Sequence, residues 1–161
     1  MVNYFLTFFS SSSTPIDYSD VAEVIPKLVS IEDNDMLIRI PIVSDIKTVV
    51  FDMDPHSALG LDGFLGLLFC NCWEVVEHDF CAAVQSFFLI GTLMNGFNSS
   101  FMILLPKVPG ANSIDKFRPI TLSNFIFKVI TKIIADRLSL LAPKLVSPSQ
   151  FGFIKGRHIE D

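Results

Sequence analysis

Between Asn124 and Pro143 the sequence places Ile126, Phe127, Ile130, Ile133, Ile134, Leu138 and Leu141 at helical spacing. This gives one broad apolar face along a helix, with Asn124 as the expected N-cap and Pro143 as the expected stop. A face of that width must be covered by other apolar elements. The upstream sequence supplies them. Phe64 to about Glu77 and Asp79 to about Thr92 read as two further helices, apolar on most sides. Ser44 is the expected N-cap of a helix carrying Ile46, Val49, Val50 and Met53 before Pro55. Ser30 or Asp33 heads another that stops before Pro41, and Asp20 heads a short one toward Pro26. Val2–Phe9 is apolar and aromatic, Ser10 to Pro15 is a loop, and Leu59 to Gly63 is a glycine-bearing turn.

One stretch breaks the helical rhythm. Phe101-Met102-Ile103-Leu104-Leu105, closed by Pro106, and Phe117 to Leu122 are short apolar runs. Val108 to Asp115, with Pro109-Gly110, connects them, so a β-hairpin is expected. Pro119 then belongs on an edge or at a bulge, because it has no N–H to give a ladder. The expected fold class is α+β, mostly α, with one small antiparallel hairpin.

Half of the 161 residues are hydrophobic, 16 are phenylalanine and only 18% are charged, which excludes an intrinsically disordered chain. There is no heptad or G-X-Y period, so coiled-coil and collagen-like folds are excluded too. The length suits one domain or a piece of one. The longest uncharged stretch, Phe80–Pro106, is interrupted by Gln85, Gly91, Asn95, Gly96 and Asn98-Ser99-Ser100, so a core helix followed by a turn is expected instead of a membrane span. Met1–Ser13 is apolar, but the first basic residue is Lys27, so a secretory n-region is not recognised. Asn98-Ser99-Ser100 matches a glycosylation sequon, which carries no meaning without a secretory route.

The net charge of −5 conceals a division. Residues 1–100 hold 13 acidic and 3 basic side chains, whereas residues 101–161 hold 4 acidic and 9 basic ones. Such asymmetry fits either an anionic partner at the basic end or a solvated basic face.

Several chemistries find little support. Cys70, Cys72 and Cys81 with His78 can be drawn as a zinc set, but Cys70 and Cys72 on one helix would point apart, so free packing thiols are expected. Asp52 and Asp54 form a D-x-D pair, yet two positions apart on a helix they face different ways, and Pro55 follows; helix-end acids are the expectation. His56, His78 and His158 lie outside any nucleophile motif, and neither a Walker loop nor a G-x-G-x-x-G is present.

The basic pieces of the second half carry the strongest signal. Lys107 closes the first hairpin strand, Lys116 and Arg118 open the second, Lys128 and Lys132 follow on the helix, and Lys155 and Arg157 sit in a final turn bracketed by Gly152 and Gly156. Lys128 and Lys132, four apart, repel one another, a cost that a nearby phosphate would remove. The array suits a phosphate backbone or a triphosphate, with Arg forking onto two oxygens and Lys acting as a point charge.

In order along the chain, Pro106-Lys107, Phe117-Arg118-Pro119-Ile120, Leu122, Asn124, Lys128, Lys132, Ala135, Arg137-Leu138, Gln150, Gly152-Phe153 and Gly156-Arg157 resemble the fingers of LINE-type (non-LTR) retrotransposon reverse transcriptases, of the plant branch. The resemblance extends upstream through Ser57-Ala58, Gly60, Asp62-Gly63-Phe64, Cys72-Trp73, Ala83-Val84, Phe87-Phe88 and Ile25-Pro26-Lys27-Leu28-Val29. It implies an acidic helical linker over 1–56 and, over 57–161, the fingers part of an RNA-directed DNA polymerase, an incomplete right hand truncated before the palm. It further implies an RNA template and a DNA primer as partners of the parent enzyme, and magnesium held by palm aspartates as its cofactor. No cofactor is expected in these residues themselves, and no membrane. An intracellular site, nuclear or cytoplasmic, is implied.

By the same resemblance Lys107, Arg118, Lys128, Lys132, Gln150, Lys155 and Arg157 would contact nucleotide or template. Gly60, Asp62, Gly63, Gly152 and Gly156 would shape turns. Leu59 and Leu61 depart from the family by replacing the prolines of its A-P-G-P-D-G turn, and Leu89 and Asn95 replace polar and basic residues. The F/Y-x-D-D motif is absent from the sequence, and Asp52 and Asp54 lie on the wrong side of the finger motifs to replace it. The expectation is a polymerase fragment inactive alone. The alternatives are a nucleic-acid-binding remnant and a functionless relic.

Overall fold

The computed structural model describes residues 27–152, 154, 156 and 157. The expected elements before Lys27, and the side chains of Phe153, Lys155 and His158, fall outside these residues.

Helix α1, Ile31–Ile38, begins at Ser30 with a reciprocal box: Ser30 Oγ accepts from Asp33 N at 3.1 Å, and Asp33 Oδ2 accepts from Ser30 N at 2.8 Å. Helix α2, Val43–Asp52, starts one residue before the expected cap at Ser44. Its cap position is Ile42, whose N–H is served by the carboxylate of Asp45 at 3.2 Å. An acid at the third helical position thus satisfies the backbone N–H of the cap residue, although Ile42 has no side-chain acceptor to return.

The two central helices divide elsewhere than expected. Helix α3 is Gly66–Asn71 and α4 is Trp73–Ile90, with the break at Cys72 and not at His78. His78 and Asp79 are nearly fully exposed in mid-helix, and neither residue type stops a helix on its outer face. Gly91, at φ +76°, ends α4 in the left-handed conformation that glycine adopts without strain, and its N–H bonds Phe87 O at 2.8 Å.

Strands β1, Ser100–Pro106, and β2, Phe117–Ser123, form the expected antiparallel hairpin. Its register runs from Ser100↔Ser123 at the root to Pro106↔Phe117 at the tip. Pro119 pairs with Leu104 in a sheet of two edge strands, where its missing N–H is tolerated.

Helix α5, Phe125–Leu145, runs through Pro143 instead of stopping there. Pro143 forfeits only one bond of the last turn, and the end of the helix is served from outside, as described below.

The core joins Ile46 and Val50 of α2, Trp73, Phe80, Cys81 and Val84 of α4, and Phe125, Val129, Ile130 and Ile133 of α5. Aromatic rings fill its centre. Phe69 stacks on Phe125 with centroids 5.1 Å apart and tilts against Phe80 at the same distance. Neither strand contributes to this core or to the partly buried apolar layer around it. The molecule is therefore a helical body with a hairpin held at its root. Among the described residues, no helix is long and apolar enough to cross a membrane.

Candidate nucleic-acid interface

Paired residues of an antiparallel ladder share a face. Phe101/Leu122, Ile103/Ile120 and Leu105/Arg118 therefore line one side of the hairpin. Phe101, Ile103, Leu105 and Ile120 are exposed there, and Arg118 adds a cation near the tip. Beyond it the connection closes with Lys107 N donating to Lys116 O at 2.8 Å. Lys107, Lys116 and Arg118 are thus gathered at the end of the hairpin farthest from its root. Lys107 Nζ donates to Asp115 O at 2.7 Å and Lys116 Nζ to Asn112 Oδ1 at 3.0 Å, which order the connection without neutralising either charge. The Ser113 hydroxyl and the backbone N–H of Asp115 hold the Asp115 carboxyl below its usual range, with Lys116 and Lys107 adding to the effect. An apolar, aromatic face ending in cations can receive bases on one part and phosphates on the other.

The other basic side chains are engaged elsewhere. Lys128 Nζ donates to Ser57 Oγ at 3.3 Å and to the carbonyl of Ala58, pinning the loop before Gly60 onto α5. Lys132 pairs with Asp136 one turn on, at 2.5 Å. The expected repulsion between the two lysines is relieved within the chain.

Arg157 donates to four carbonyls: Nη1 to Ser147 at 2.6 Å and Gln150 at 2.9 Å, and Nη2 to Val146 at 3.1 Å and Pro143 at 3.3 Å. This cap lets α5 continue past Pro143. Gln150 is exposed, with Nε2 3.5 Å from Gly152 O. Gly156 adopts φ +81° just before the guanidinium turns in, and Gly152 is exposed. Because α5 is about 30 Å long, its capped end and the hairpin root lie at opposite ends of one helix. The residues predicted as one array form two groups, and Lys155 is outside the described residues.

Gly60, Asp62 and Gly63 do shape a turn. Gly63 N bonds Gly60 O at 3.2 Å, Gly63 has φ +74°, and Asp62 Oδ1 accepts from Phe64 N at 3.1 Å. The turn wraps Asn124, whose Oδ1 accepts from Asp62 N at 3.2 Å while its Nδ2 donates to Gly96 O at 3.0 Å. Asn124 was expected as a helix cap. It occupies that position, but its side chain makes no cap bond and joins two distant turns instead. Its partners lie 62 and 28 residues away, and no local pattern in the sequence announces them.

Arg137 has a similar bridging part. Nη1 donates to Leu37 O at 2.9 Å and the guanidinium lies 4.8 Å from the Phe88 ring centroid, tying α1 and α4 to α5. Burial, with Arg39 nearby, pulls its pKa down.

Among the described residues, no three His, Cys, Asp or Glu side chains are grouped to hold an ion. Asp52 ends α2, and Asp54 Oδ1 accepts from the backbone N–H of His56 at 2.9 Å. The three thiols are free: Cys81 buried, Cys70 half-buried and Cys72 exposed.

No protein-family model matches the chain. A relative is found in Xenopus laevis, the transposon TX1 uncharacterized 149 kDa protein, 29% identical over 122 residues. The likeness is to a transposon protein. It takes in 75% of this chain and 9% of that protein, so the chain spans less than a tenth of its relative's length.

Proposed function

We propose that these residues are the fingers part of a LINE-type, plant-like RNA-directed DNA polymerase, and that the hairpin tip meets the phosphates of a single-stranded RNA template. The observation that carries this reading is the gathering of Lys107, Lys116 and Arg118 at the tip of a hairpin with an exposed apolar face. The F-R-P-I motif of β2 and the transposon relative support it. The hairpin offers position and charge, not reaction chemistry. Hydroxyl activation by paired metals requires grouped carboxylates; among the described residues none are grouped to hold an ion, and that chemistry is assigned to other parts of a parent polymerase. The RNA template and DNA primer are its proposed partners, and magnesium the parent's proposed cofactor.

Photo-crosslinking to a primed RNA template tests the assignment. Crosslinks are expected on the hairpin, at 101–122, with no primer extension when nucleotides and magnesium are added. Crosslinks confined to the helical body, or extension by the pure chain, would overturn it.

A further inference from the structure

We infer that Asn124 is a positioning residue: its carboxamide locks the 60–63 turn and the Gly96 turn to the hairpin root, and so sets the direction in which Lys107, Lys116 and Arg118 are presented. This rests on the reading of the tip as a nucleic-acid contact.

The hairpin shares no residue with the core, so its direction is fixed near the root. There β1 enters after the Gly96 turn and β2 leaves directly into Asn124 and α5. A two-stranded hairpin has little stability of its own and cannot hold its own direction. Asn124 is 6% exposed, and its amide spans the gap between the two turns. The amide can sit only one way round. Asp62 N–H can only donate and Gly96 O can only accept, so a flipped carboxamide would lose both bonds. Gly60 completes the lock. A β-carbon there would stand 2.3 Å from both the N and Oδ1 of Asn124, which leaves the turn no slack against it. Four residues on, Lys128 grips the same loop at Ser57 and Ala58, so α5 holds the turn at two successive helical positions. Lys128 fixes the loop to the helix; Asn124 alone among these contacts also reaches Gly96, on the strand side.

The test measures direction without nucleic acid. Spin labels are placed at the tip through Val108→Cys and on the body at exposed Cys72, with Cys70→Ser and buried Cys81 left in place. A single narrow distance distribution is expected for the parent and a broad one for Asn124→Ala, with helical circular dichroism retained. Asn124→Asp keeps the bond from Asp62 but sets an acceptor against Gly96 O, so it should broaden the distribution too and serves if the alanine variant does not fold. A distribution that stays narrow in either folded variant would overturn the lock. In single-stranded RNA binding Asn124→Ala should lose about tenfold in affinity with an unchanged salt slope, since no charge is added or removed. A broadened distribution in a chain whose parent binds no RNA would sustain the lock and defeat the fingers reading alone.

Discussion

Arg157 Nη2 donates to Val146 O at 3.1 Å, placing a positive charge against the carbonyl end of α5. Three further carbonyls share the same guanidinium, so removing it strips several bonds at once. Arg157→Ala should cost about 1–3 kcal/mol in urea unfolding. Arg157→Lys should recover only part, because an ammonium cannot span carbonyls that a planar fork reaches together. At equal folded fraction, RNA affinity should hold for both variants. A large loss of RNA affinity in folded Arg157→Lys would show that this arginine faces the ligand after all.

Gly60 and Gly63 share a turn and should fail differently. A methyl at Gly60 meets the backbone and side chain of Asn124, so Gly60→Ala should cost about 1–3 kcal/mol or more from overpacking. Gly63 has open space around it but φ +74°, so Gly63→Ala should cost about 1–2 kcal/mol from backbone strain. Gly63→Asn should be milder, because asparagine tolerates the left-handed region. Equal costs for Gly63→Ala and Gly63→Asn in chemical denaturation would rule out the strain explanation.

Asp33 links α1 to the far end of α5 through Lys144. The Lys144 hydrogen bond and the backbone N–H of Ser30 hold its carboxyl below the usual value near 3.8. A depressed folded-state pKa means stability present above the unfolded value and lost as pH falls through the folded one. The melting temperature should therefore drop as pH falls below about 4, and Asp33→Asn should flatten that acid limb while lowering the neutral plateau. An acid limb of unchanged steepness in Asp33→Asn would place the acid sensitivity on other carboxyls.

The thiols should react in order of exposure. Cys72, exposed at the α3–α4 break, should react with a thiol reagent first and Cys70 more slowly. Cys81 should wait for unfolding, since burial, reinforced by Glu77, pushes its thiol pKa up and keeps it protonated. Mass spectrometry of partially modified protein reads the order directly. Early modification at Cys81 would contradict the packing of α4 against the core.

The fold was legible where local chemistry decides it. Ser30, one of two candidate caps of α1, and the hairpin with Pro119 on an edge strand follow from spacing and turn residues, as do Ile130, Ile133 and Leu141 on the buried side of α5. Leu138, by contrast, is exposed, and Phe125 and Val129 are buried without having been expected there. Boundaries failed where a distant or unobvious partner supplied what a local residue lacked: Asp45 for the start of α2, and Arg157 for the continuation of α5 past Pro143. The candidate site was legible as a list of cations but not as a geometry. Charge gives no sign that Lys128 is spent on Ala58 or Arg157 on a helix end, whereas hairpin register does bring Arg118 beside the tip lysines. Asn124 holds the N-cap position expected of it, but its side chain bonds partners far away in the chain, which its place at a helix start does not reveal.

The central claim is that the hairpin tip meets phosphates. It is tested by the salt dependence of single-stranded RNA binding, for the parent chain and for Lys107→Gln/Lys116→Gln/Arg118→Gln. Each lost phosphate contact should flatten the plot of log K against log salt by about 0.7. The triple variant should therefore lose about 2 from the slope, bind weakly at low salt and remain fully folded. An unchanged slope in the folded triple variant, or salt-independent binding by the parent, would contradict the account.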